Sequence, residues 1–135
     1  MNPADIAHAC IIAAPIETGL RLVRDALAGV GLSISGEFDV PDSLNWEADA
    51  LSTRSRMLYV DSPLLFFEAL ALDRAAAVFL PLHVLVAAHG PETRVYWIKP
   101  LEVFGGRLPP GAAVPLDEIQ ARLARALQPW DRGGL

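Results

Sequence analysis

The stretch Phe79–Val86, FLPLHVLV, carries a histidine inside an almost unbroken apolar run. An imidazole titrates near neutral pH, so His83 would act as a general base or orient a ligand there. The alternative is a core histidine satisfied by a backbone carbonyl or a tyrosine hydroxyl. In an extended chain Pro81 and Leu85 share its face. Pro81 cannot donate to a ladder, so the strand starts, bulges or runs along an edge at that point. Three more pairs at two-residue spacing could carry chemistry. Glu37 and Asp39 would form a carboxylate pair for acid/base work, or, with Ser33 and Ser35, a solvated sheet surface. Trp97 and Lys99 set an aromatic beside a cation, the floor of a pocket for an acidic or planar ligand, or else a core residue and a strand end. His8 and Cys10 would supply half of a zinc or haem site. A closed zinc site needs about four ligands, and only His83, His89 and scattered carboxylates remain, so no metal is expected.

The candidate binding residues are thus His83, Trp97, Lys99, Tyr59 and Asp39. None is assigned a catalytic role. The chain has no G-x-S-x-G elbow, no G-x-G-x-x-G turn and no Walker loop, and no cofactor is expected.

The elements that would position these residues follow from periodicity. Ile6–Ala14 reads as a strand closed by Pro15. Ile16, Leu20, Val23 and Leu27 then recur at helical spacing, with Gly29 and Gly31 as the stop. Leu32–Val40 alternates, with Leu32, Ile34, Phe38 and Val40 on one parity, and Gly36 marks a bulge or a close backbone approach. Residues 41–53 read as a surface loop or short irregular helix anchored by Leu44 and Trp46. Arg54–Val60 is a strand, and Asp61 or Ser62 caps a helix with Pro63 in its first turn. Phe79–Ala88 and Arg94–Lys99 form a hairpin around His89–Thr93. A proline-rich loop leads to a last helix, PLDEIQARLARAL, with Leu116, Ile119, Leu123 and Leu127 on one stripe. Residues 129–135 read as a frayed tail. The result is one α+β domain, β-α-β-β-α-β-β-α, with a curved, mostly antiparallel sheet and helices packed on one face.

Composition narrows the partners. Of the 135 residues, 53% are hydrophobic and 20% charged, with a net charge of −5 and one cysteine. The basic residues are scattered singly, which argues against nucleic acid. The longest weakly polar run, Ala75–Ala88, is too short to span a bilayer, and the N-terminus lacks a basic flank. A soluble cytoplasmic protein is expected. The helix after Pro63 is apolar nearly all round, because Leu64, Leu65, Phe66, Phe67, Leu70 and Leu72 do not fit one stripe. A helix without a polar face is enclosed on several sides. Phe66, Phe67 and Leu70 are therefore the candidate interface of a homodimer.

Three pieces of the chain resemble a family catalogued as domain of unknown function 302. They are Gly31-Leu32 opening a strand that ends Glu37-Phe38-Asp39-Val40, Asp61-Ser62-Pro63 starting an alanine- and leucine-rich helix, and Leu80-Pro81 opening a valine-rich strand that continues through a turn to Lys99-Pro100. The resemblance covers roughly residues 6–104. It implies a fold like that of the TATA-binding protein, a curved antiparallel sheet with helices on its convex side, and does not carry over DNA binding. The chain departs from the family at two places. Leu82 stands where many members have cysteine, and Ser62 where many have asparagine, so a thiol or soft-metal role has lost its ligands. On this footing the chain is a non-catalytic module that binds a small apolar or amphipathic ligand between sheet and helix, as a homo-oligomer. The alternatives are a small enzyme using His83 with Asp39 or Glu37, or a structural subunit of a larger assembly.

Overall fold

The computed structural model describes residues 7–39 and 54–134. The expected loop with Leu44 and Trp46 lies outside the described residues. Strand β1 (Ala7–Ile12) leads into helix α1 (Ile16–Gly29), and β2 (Ser33–Asp39) is followed by β3 (Ser55–Asp61) and α2 (Pro63–Leu72). Next come the hairpin β4 (Leu82–His89) and β5 (Glu92–Ile98), the short helix α3 (Pro100–Phe104), helix α4 (Ala113–Leu127) and strand β6 (Asp131–Gly134). The strands form one sheet in the order β2-β3-β4-β5-β1-β6, every neighbouring pair antiparallel.

Residues opposite one another across antiparallel strands point to the same face, so the register assigns both faces. Leu58, Val60, Leu82, Val84, Val86, Val95, Cys10 and Ile12 are buried on the face that carries the helices. Helix α1 meets them with the expected stripe of Ile16, Leu20, Val23 and Leu27, and α4 with Leu116, Ile119, Leu123 and Leu127. Close approach of α1 requires Gly19, since a Cβ there would overlap the buried side chain of Thr93. The Thr93 hydroxyl donates to the Ala14 carbonyl at 2.8 Å and ties the turn before α1 to β5.

Gly36 is the expected bulge, and it has a consequence that simple alternation misses. The β2–β3 register shifts between Ile34 and Gly36, which inverts every later residue of the strand. Ile34 therefore points to the helices, while Phe38 falls on the opposite face and is 52% exposed. Glu37 and Asp39 turn to the helix side, where arginines meet them. Arg24 of α1 donates to Glu37 Oε1 at 2.6 and 3.0 Å, and Arg56 makes a two-pronged pair with Asp39 at 2.6 and 3.0 Å. The hydrogen bond from Arg56 holds the Asp39 carboxyl below its ordinary range.

Two further segments differ from expectation. Residues 79 and 80 are not strand. Asp73 accepts from Ala75 N at 3.0 Å and opens a 3-10 turn over Arg74–Phe79, so β4 begins only after Pro81, the residue that cannot join a ladder. The expected frayed tail is also partly ordered, because Asp131–Gly134 pairs with β1. The His8–Asp131 contact at 3.5 Å joins the same two strands.

Ser62 caps α2 by accepting from Leu65 N at 3.4 Å, with Pro63 in the first turn. Beside it Asp61 is buried and accepts from Ser62 N at 2.6 Å. Burial raises its pKa, and the Ser62 N–H opposes that shift. A raised carboxyl pKa favours the protonated native state, so this contribution is complete below the unfolded value and is lost as pH rises through the folded one. Asp61→Asn keeps the acceptor without the charge. It is expected to gain stability relative to wild type at about pH 7, with the difference shrinking toward about pH 4. Urea unfolding at both pH values measures it, and a difference independent of pH would contradict the assignment.

Candidate functional site

The sheet face opposite the helices is where the sequence candidates divide. Tyr59 and His83 stand opposite each other on β3 and β4, with ring centroids 5.1 Å apart in an edge-to-face arrangement. The register sets Met57, Leu85, Tyr96 and Ile98 on that face too. His83 is exposed, Ile98 is 44% exposed, and Met57, Leu85 and Tyr96 are half-buried. Among the described residues only the short α3 borders this face, at its His83 end, and exposed apolar patches of this kind mark binding surfaces.

Two hollows open there and meet at His83 and Ile98. One, of about 280 Å³, lies over Met57, Leu85 and Tyr96. The other, of about 360 Å³, lies at the strand ends against Phe79, Pro81, Pro100 and Phe104. Phe79 and Phe104 form its wall, edge-to-face with centroids 5.1 Å apart. This second hollow lies between sheet and helix, since Pro100 and Phe104 belong to α3. The 3-10 turn before Pro81 and the proline-initiated α3 hold these two walls in place.

The other candidates are placed differently. Trp97 borders the first hollow from its place on β5, but its side chain is packed on the helix side, 4% exposed, with the His8 ring edge-on at 5.1 Å. Asp39 and Glu37 lie on the helix side with their arginines, so the sheet separates both from His83. That separation rules out His83 acting together with Asp39 or Glu37. Lys99 follows β5 directly and precedes α3, and it does not line either hollow. His8 and Cys10 share the helix face as expected. Cys10 Sγ is buried at 3.5 Å from the Leu127 carbonyl oxygen. Among the described residues no three histidine, cysteine or acidic side chains are grouped to hold a metal. In α2, Phe67 and Leu70 are exposed, whereas Phe66 is half-buried against the core.

Tyr96, Ile98 and Met57 were missed. Alternation along β5 separates Trp97 from Tyr96 and Ile98, but only pairing with β4 shows which set accompanies His83. The lining of the two hollows is apolar apart from His83, the phenol of Tyr96 and Trp97, and among the described residues it includes no carboxylate. Chemically it can exclude water from an apolar body and offer an imidazole and a phenol for hydrogen bonds.

Among the described residues no helix is long and apolar enough to cross a membrane. No curated protein matches the sequence. The structure is similar to the crystal structure of an uncharacterized conserved protein DUF302 from Bacillus stearothermophilus. That likeness has a TM-score of 0.75 at 20% identity and covers 90% of this chain and 95% of that one. The family described as domain of unknown function DUF302 matches residues 10–129, and with that span the chain belongs to the DUF302 family.

Proposed function

We propose that this domain is a non-catalytic binding module whose open sheet face holds a small apolar or amphipathic ligand over His83. The observation that carries this reading is the pair of mainly apolar hollows joined at His83 and Ile98 on the open face. Small-molecule sites are concave and mostly apolar, with a few polar groups that fix orientation. A TATA-binding-protein-like curvature would make this face the concave one and wrap it partly around the ligand. The buried lone thiol of Cys10 agrees with a reducing, cytoplasmic setting.

A neutral fluorophore, N-phenyl-1-naphthylamine, tests this. Wild type is expected to show a saturable rise in emission. Leu85→Glu, which places a carboxylate beside Met57 and Tyr96, is expected to weaken binding about tenfold or more. Its stability should stay within about 1 kcal/mol of wild type, because Leu85 is only half-buried. Equal binding by both proteins, or none by wild type, would refute the reading.

The same reading includes a second copy of the chain. Helix α2 exposes Leu64, Phe67, Leu70 and Leu72 at 64, 67, 40 and 71%, and Glu68 is its single charged residue. A two-fold interface sets one patch against itself, and a helix with one charge meets little repulsion from its own copy.

A further inference from the structure

The apolar face ends in a cation. Arg94 lies on β5 with Tyr96 and Ile98 on the same side, opposite Ala87 of β4 and Ile11 of β1. It is half-buried, and its Nε is shut away from solvent with no hydrogen-bond partner among the described residues. Four other arginines have carboxylate partners: Arg24 pairs with Glu37, Arg54 with Glu17, Arg56 with Asp39 and Arg122 with Glu118. Glu92, two residues back on the Arg94 side, stands opposite His89 in the register. A buried guanidinium N–H left unmet costs free energy, and the group that satisfies an arginine fork best is a carboxylate.

We propose that the ligand of the open face is an amphipathic carboxylate, its charged end on Arg94 and its apolar chain running over Leu85 and Tyr96 into the hollow at His83. This rests on the binding reading above and adds the ligand's class and direction. Arg94 and Ile98 are four residues apart, about 13 Å along the strand. Between them the face offers Ala87, Leu85, Tyr96 and Met57, none of them charged. A cationic head would meet repulsion at Arg94, and an uncharged oxygen head could accept from the guanidinium only by a weaker bond without charge pairing.

Decanoate and decanol, which differ only in the head, separate the alternatives by calorimetric titration of the full chain. Wild type is expected to bind decanoate about tenfold or more tighter than decanol. Arg94→Met, which keeps an apolar stem, is expected to bring decanoate affinity down to that of decanol and leave decanol unchanged. In wild type the Arg94 Nε–H resonance should shift with decanoate and not with decanol, a readout independent of any variant's folding. Equal affinity of wild type for both compounds overturns the carboxylate assignment and leaves the apolar site standing. Binding of neither compound overturns both. A decanoate preference that survives Arg94→Met, or that disappears in His83→Gln instead, overturns the placement of the head.

Discussion

Trp97→Ala will lower the stability of the fold by about 3–5 kcal/mol, the usual cost of emptying a large aromatic site in a core. At 4% exposure the indole is enclosed by the helix side of the sheet, beside Val84 and the His8 ring. Its neighbours cannot close the gap, because β4 and β5 are locked in register from Val84–Trp97 to His89–Glu92. Part of the loss is the edge-to-face contact with His8, about 0.5–1.5 kcal/mol beyond area. The variant separates a core role from a pocket role. Under conditions where it stays folded, affinity for an apolar ligand at His83 should match wild type, since Trp97 borders the hollow but its indole is packed on the helix side. Denaturant unfolding together with fluorophore titration measures both. A stability loss below about 1 kcal/mol accompanied by lost binding would place Trp97 in the site instead.

Phe67→Glu should halve the molecular mass in sedimentation equilibrium while leaving the fold intact. Phe67 is 67% exposed, so in an isolated chain the change removes little burial. In a two-fold interface it sets two carboxylates close together in an apolar contact, which costs several kcal/mol. Phe66→Glu should behave differently. Phe66 is half-buried against the core, and a carboxylate there destabilises the monomer itself. A wild-type mass equal to one chain, or a Phe67→Glu protein that keeps the wild-type mass, would refute the dimer.

Much of the architecture was legible because its signals are local. The stripes of α1 and α4, the Ser62-Pro63 helix start and the Gly90-Pro91 turn each depend on a few neighbouring residues, and each appears where periodicity puts it. What was not legible depends on pairing between distant strands. The bulge at Gly36 was read correctly as a local irregularity. Its effect, which sends Phe38 to the open face and Asp39 to Arg56, emerges only from the β2–β3 register. For the site, His83 and Tyr59 come together because β3 and β4 pair at those positions. Trp97 shares a strand with Tyr96 and Ile98 but lies on the other face, and residue type favours the larger ring without saying where it points. The strand Asp131–Gly134 was hidden for a further reason: a short, glycine-containing segment has no periodicity to read.

The central claim is that the open sheet face, and no other surface, receives the ligand. Mapping backbone and side-chain chemical shifts while N-phenyl-1-naphthylamine is added tests it most directly. The expected result is saturable shifts at Met57, His83, Leu85, Tyr96 and Ile98, with Val23, Leu116 and Ile119 on the helix side unmoved. Shifts centred on Leu64, Phe67 and Leu70 of α2, with His83 and its neighbours silent, would contradict it.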